Sequence, residues 1–356
     1  MKYVFLFFSF YLSLATNVFS EIRITNFPSF EDKISYPIAL IRGEVDSIAG
    51  INEVDVEINF YQLPKVKVLN GQFKVLARLI PGPNTVVLSY NGKRIGRIIN
   101  YEILTNIKKV RLVYLKTSNH DGRFEAPTGV DNSENTAVQK IQLGGEMLQT
   151  LAAEKMYEKT GLRSTYTLMP KVEILTLPNL TSEQAYIMDG QKLYYYIEAA
   201  LKDLPDRDNT KDLVIMSFSK YDKKDKKALA HTALGGGRLA LFGSLSLHTW
   251  ASTLEEVEKK FTDNTVLNTD EFFDDSAYRG TMWANYSTTL GATLHELGHA
   301  FDLPHSPDGI MYRDFDHVNR SFVISEPGSL EANTVLNETG WHDESVQILR
   351  NHPWFK

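Results

Sequence analysis

The stretch His295-Glu-Leu-Gly-His299-Ala-Phe-Asp-Leu-Pro-His305, with Met311 six residues further on, decides how the rest of the chain is read. Residues four apart lie one above the other on an α-helix, so His295 and His299 can present imidazoles to one ion with Glu296 beside them. Leu290, Leu294, Leu297 and Phe301 recur at the interval of a helix packed on a core. Six further helical steps of about 100° each would turn His305 away from that ion, so the chain has to leave the helix first. Asp302 tolerates the left-handed conformation of a helix end, and Pro304 disfavours helix at Leu303 before it. A third imidazole can then swing back. Three His ligands leave the fourth tetrahedral position open, the arrangement of a catalytic zinc site.

His-Glu-x-x-His is a signature of zinc metalloproteases, and the longer form with a third His and a following Met-turn is far more specific. The competing readings are a helix whose His and Glu face water, or a closed structural zinc site. Both require the third His, the helix break and Ser306-Pro-Asp-Gly-Ile-Met311 to coincide by chance.

The segment resembles the metzincin clan of zinc endopeptidases. More narrowly, His231-Thr-Ala-Leu-Gly-Gly-Gly, Leu241-Phe-Gly-Ser, the Gly309-Ile-Met311 turn, Phe315-Asp-His-Val-Asn319 and Trp341-His through His352-Pro-Trp-Phe355 resemble a zinc metalloproteinase family of fungi and animals. The resemblance covers roughly residues 108–356. It implies one Zn2+ ion on His295, His299 and His305, general base chemistry at Glu296, and Met311 in the hydrophobic floor beneath the metal. It also implies that the strand carrying Gly237, Leu239, Leu241 and Gly243 is the edge strand at the upper rim of the cleft, where an extended peptide adds through main-chain hydrogen bonds. Two positions depart from the clan. The usual Gly of the helix break is Asp302, and Tyr312 follows Met311 directly, whereas some metzincins place a metal-binding Tyr two residues after the turn Met.

Working outward, 356 residues allow two domains of ordinary size, and 43% hydrophobic with 23% charged residues is a globular composition. A net charge of −6 without any concentrated basic patch argues against a nucleic-acid partner. Residues 1–20 carry Lys2, an apolar run from Val4 to Ala15, and small side chains at Val18 and Ser20, which predicts a secretory signal peptide and a mature start at Glu21. The run is too short for a spanning helix and has no second copy, so stable membrane insertion is not expected. The expected location is extracellular. Cys is absent, so core burial and the metal must carry the stability that disulfides often supply to secreted proteins. Sequons at Asn179, Asn285, Asn319 and Asn337 are candidate glycosylation sites.

Residues 21–107 read as a β-sandwich domain: Val54, Val56, Ile58 and Phe60 alternate with polar residues, as do Phe73, Val75, Ala77 and Leu79, then Val86, Leu88 and Tyr90. Asn70-Gly71 and Asn91-Gly92 supply hairpin turns. From residue 108 strands and helices alternate. Strands are expected at 110–115, 171–177, 213–218 and within 238–250, and helices at 135–159, 182–201, 341–350 and a short one capped by Ser252-Thr-Leu-Glu255. His231 and His248 read as core or rim histidines, His317 as a structural hydrogen-bonding group, and Asp270–Asp275 as a surface loop.

The expected fold is therefore α+β, a β-sandwich followed by a metzincin-like zinc metallopeptidase domain with a mixed twisted sheet and an active-site helix. The expected function is a secreted zinc-dependent endopeptidase acting on a protein or peptide substrate. The rival is an extracellular binding or adhesion protein in which zinc is structural. Glu296 weighs against it, because a structural site needs no base.

Overall fold

A computed structural model describes residues 22–328 and 336–356, so the expected leader at 1–20 lies outside the described residues. Eight strands come first: β1 (Ile22–Ile24), β2 (Glu31–Ile34), β3 (Ile38–Val45), β4 (Glu53–Ile58), β5 (Tyr61–Lys67), β6 (Gln72–Arg78), β7 (Gly82–Tyr90) and β8 (Lys93–Tyr101). They form a three-stranded sheet in the order β1-β3-β6 and a five-stranded sheet in the order β2-β8-β7-β4-β5. In β4, β6 and β7 every second side chain is buried, the pattern of a sheet with one face on a core and one towards solvent. Ile41 and Phe73 from the first sheet and Val56, Val86 and Leu88 from the second meet in that core. Asn70-Gly71 and Asn91-Gly92 have positive φ at both positions, as a two-residue hairpin turn requires. Asn59-Phe60 makes the same turn between β4 and β5 without a glycine, which takes Phe60 out of the strand and exposes it.

The remaining elements are β9 (Lys109–Thr117), α1 (Glu134–Thr160), β10 (Thr167–Leu168), β11 (Glu173–Leu177), α2 (Ser182–Tyr186), α3 (Gly190–Leu201), β12 (Thr210–Met216), β13 (Lys220–Asp222), β14 (Lys227–Leu229), β15 (Ala233–Gly236), β16 (Leu239–Gly243), α4 (Val257–Phe261), α5 (Met282–Ala300), α6 (Asn319–Phe322) and α7 (Asp343–Asn351). β10 and β11 lie beside β9, followed by β12, β16 and β15. All pairs are parallel except the last, β16 with β15. Every residue of β12 and β16 is buried, because helices cover both faces. Leu112, Leu213, Ile215 and Phe242 pack with α1 and α5 on one face, while Val113, Val214, Leu239 and Leu241 pack with α3 on the other.

Several local expectations change. The helix expected over 182–201 is two helices, because Asp189 caps the second by accepting from the Lys192 N–H. Ser252-Thr-Leu-Glu255 forms no capping box; the Glu256 carboxylate accepts from the Ser252 N–H instead, and the first turn is 3-10. The strand expected within 238–250 is only the five residues of β16, after which the chain turns away through Leu247–Thr249.

The two groups of elements share a polar seam. Glu154 of α1 is fully buried and accepts from Tyr36 Oη (2.6 Å), Asn26 Nδ2 (3.0 Å) and Arg163 Nε (2.6 Å). Beside it, Glu338 binds Arg42 (2.8 Å) and Lys74 (2.5 Å) from the first strands and Lys155 (2.5 Å) from α1. The N-terminal sheet is thereby fixed to the helix that supports α5.

Candidate metal centre

α5 is buried on nearly all sides, with every residue from Trp283 to Gly298 buried. Such a helix needs close approaches rather than a single apolar stripe. A Cβ on Gly298 would lie 2.4 Å from Met311 Sδ, so the missing side chain lets Met311 lie directly beneath the residue that precedes His299. A Cβ on Gly235 would lie 2.0 Å from the Glu296 carbonyl oxygen, so the edge strand β15 can run against α5 at the height of the site.

The helix ends one turn later in a Schellman motif. The Leu303 N–H donates to Gly298 O (3.1 Å) and the Asp302 N–H to His299 O (3.0 Å), with Asp302 in the left-handed region at φ 64°. This reversal brings the Leu303 carbonyl over His299 and carries His305 back. His299 Nδ1 donates to Leu303 O at 2.8 Å, and His295 Nδ1 donates to Ile310 O at 2.8 Å. Carbonyl partners require protonated Nδ1 atoms, so both rings turn the lone pair of Nε2 inward. Ile310 is held in turn by Gly340 O (2.9 Å), and Gly309, at φ 75°, by Asp314 Oδ2 (2.8 Å).

The three Nε2 atoms converge, His299 lying 3.1 Å from His295 and 3.2 Å from His305. Lone pairs facing each other at this range repel unless a cation lies between them. Two zinc–nitrogen bonds of about 2.0–2.1 Å at a tetrahedral angle place their nitrogens about 3.3 Å apart, so the donor set and its spacing fit one zinc ion. Among the described residues this is the one group of three or more metal-ligating side chains in reach of each other. Asp270–Asp275 forms no such group. Met311 is fully buried beneath the cluster.

Glu296 is turned towards the same cavity of about 470 Å³ that His295 and His305 line. Burial pushes its carboxyl up to about 7, against the Gly235 N–H, which lowers it. A bound dication would draw it down again. Burial likewise pulls His295 down to about 4, keeping its imidazole neutral and able to ligate.

The other site residues are placed as follows. Leu239, Leu241 and Gly243 are not at the sheet edge: β16 lies between β12 and β15, and Gly237 is in the turn that joins the two antiparallel strands. The edge is Ala233–Gly236, because the turn after β15 folds β16 inward, and its exposure pattern is the more open one. Asn285 and Asn319 are fully buried, with Asn285 Oδ1 accepting from Ser246 and Asn319 bound to Ser287 and Glu326, so neither can carry a glycan in this fold. Asn179 and Asn337 are exposed. Tyr312 is half exposed and lines the cavity. His317 is engaged by Arg279 and stands outside the cavity lining. His248 is buried against Phe272 with Nδ1 on Leu245 O, and His231 packs between Phe242 and Phe273; neither joins the cluster.

Sequence reasoning missed the carbonyls of Leu303 and Ile310, which any residue could supply. It also missed Phe242 and Asp275 in the cavity wall, although Phe242 lies inside a motif already singled out.

Three convergent imidazoles with a buried carboxyl group beside them are the donor set of a candidate metal centre. Residues 21–356 match the Metallopep model, described as "Putative peptidase family", and the chain belongs to that family. Two curated relatives, each named a "Putative zinc metalloproteinase", are 28% identical over 315 residues in Schizosaccharomyces pombe and 27% identical over 374 residues in Saccharomyces cerevisiae. The alignments cover 80% and 91% of this chain and 51% and 53% of those proteins, so the chain spans about half the length of the curated relatives it matches. Among solved structures, fibronectin(III)-like modules of Clostridium thermocellum CbhA align with 24% of this chain and all of that one at 11% identity, with a TM-score of 0.20 that defines no shared fold. No helix of the described residues is long and apolar enough to cross a membrane.

Proposed function

We propose that the chain is a zinc-dependent endopeptidase of metzincin type, delivered to the secretory pathway by its leader. The observation that carries the reading is Glu296 entering the same cavity as the imidazoles of His295 and His305. A zinc ion on His295, His299 and His305 would supply Lewis acidity to a water and to the scissile carbonyl. Glu296 takes a proton from the attacking water and returns it to the leaving amine, a task that needs a carboxylate partly shielded from solvent. The peptide backbone lies antiparallel along β15, whose outer side has no strand beside it among the described residues, and is thereby held extended across the site. An extended chain entering along a strand edge is cut internally. The N-terminal strands, a β-sandwich domain in this reading, position α1 and hence α5 through the Glu154 and Glu338 contacts.

The test is digestion of a diverse peptide library by the zinc-loaded protein, beside Glu296→Ala and a chelated sample. Internal cuts by the intact, loaded protein alone are expected, with Glu296→Ala inert but still binding one zinc, and His299→Ala losing both. An active Glu296→Ala would refute the role of the base. Bound zinc with no cuts in any sample would favour the binding-protein reading.

A further inference from the structure

The cavity beside the three imidazoles runs along α5. His295 and Glu296 line one end and Thr288 the other, seven and eight residues apart, which at 1.5 Å per residue is about 10–12 Å. Ala292, Phe242 and Phe315 make its walls apolar between these ends. Asp275 also lines it, and the Asp275 N–H donates to Asn285 Oδ1 at 3.1 Å. Asn285 lies three residues beyond Thr288, so Asp275 belongs to the end remote from the metal ligands.

Apart from Glu296 and the two metal ligands, two side chains of formal charge line the cavity. The Arg313 guanidinium is 3.0 Å from Asp316 and 5.0 Å from the Phe315 ring centre, and its side chain is 59% exposed, so its charge is answered at the rim. Asp275 has no lysine or arginine partner among the described residues. Its neighbour is His231, with Nε2 at 3.7 Å. A negative charge at the far end of an apolar slot matches a side chain with an apolar stem and a cationic tip. Lysine and arginine carry that tip about 6–7 Å from Cα. Shorter side chains would leave the far end to water.

We propose that this cavity takes a lysine or arginine side chain of the substrate, with Asp275 as its charge partner, so that the chain cleaves next to basic residues. The proposal rests on the peptidase reading and deepens it. The aliphatic stem lies against Phe242 and Ala292, and the head meets the Asp275 carboxylate, in two parallel N–H···O bonds when it is a guanidinium. An aspartate at the base of an apolar pocket selects substrates in the same way in other proteases.

The test uses zinc-loaded full chain and matched fluorogenic peptides carrying Arg, Leu or Glu at each position flanking the cut. At one of these positions the wild type is expected to favour Arg over Leu in kcat/KM by at least about tenfold. Asp275→Asn, nearly isosteric, should lower turnover of the Arg peptide at least about tenfold and leave the Leu peptide within about threefold. Asp275→Arg should transfer the preference to Glu. Turnover of the Leu peptide shows that each variant is folded and metal-loaded. A wild-type preference for Leu, or an Arg:Leu ratio unchanged in Asp275→Asn, overturns the inference and leaves the peptidase reading standing. No hydrolysis of any peptide by the loaded wild type overturns both.

Discussion

Replacing Glu338 by glutamine would remove the charge that ties the N-terminal strands to α1. Burial by itself raises the Glu338 carboxyl, but Lys74, Lys155 and Arg42 outweigh burial and hold it down at about 2, from an ordinary 4.5. That depression corresponds to about 3 kcal/mol of preference for the charged form in the folded chain. Burial also pulls the Lys74 ammonium below its usual range despite Glu338, which offsets part of the gain, so a loss of about 2–3 kcal/mol is expected at pH 7. The folded pKa lies below the unfolded one, so the contribution is fully present above pH 4.5 and disappears as pH falls towards 2. About two-fifths should remain at pH 3. Urea unfolding of both proteins at pH 7 and pH 3 gives the two differences directly. Equal differences at the two pH values, or one below about 0.5 kcal/mol at pH 7, would refute the electrostatic account of this seam.

Asp302→Gly should raise stability by about 0.5–1 kcal/mol, because glycine adopts the left-handed helix end without strain, while the lost contact to His352 (3.3 Å) involves a carboxylate that is 69% exposed. Thermal unfolding measures it, and a loss above about 1 kcal/mol would show that the His352 contact supports the turn. Gly235→Ala should cost about 2 kcal/mol or more by forcing β15 away from the Glu296 carbonyl, read from the urea midpoint; an unchanged midpoint would contradict that close approach. Glycopeptide mapping of protein made in a secretory host should find Asn285 and Asn319 unmodified. Occupancy at either would be incompatible with their buried hydrogen bonds.

The three imidazoles and Glu296 were legible in the sequence because helical periodicity places residues four apart on one face, and because Asp302 and Pro304 mark where the helix must end. The strand positions around Val56, Val75 and Leu88 were legible for a similar reason: a sheet with one solvated face alternates polar and apolar residues. Both rules are local, and each spans less than a dozen residues. β16 obeys neither, since it is buried on both faces and its Leu-Ala-Leu-Phe-Gly sequence reflects what packs above and below it. Which strand forms the edge depends on the turn at Gly237 and on the pairing of β16 with β12, whose partners, such as Asp212 and Leu239, are distant in sequence. Burial of Asn285 and Asn319 is equally invisible in a sequon, because it arises where α5 meets segments distant in the chain. The sequence by itself determined the three clustered imidazoles, the carboxyl beside them and the helix break. Only the tertiary structure decided the edge strand, the carbonyls that orient the imidazoles and the cavity wall, since main-chain partners leave no residue signature and long-range packing leaves no periodicity.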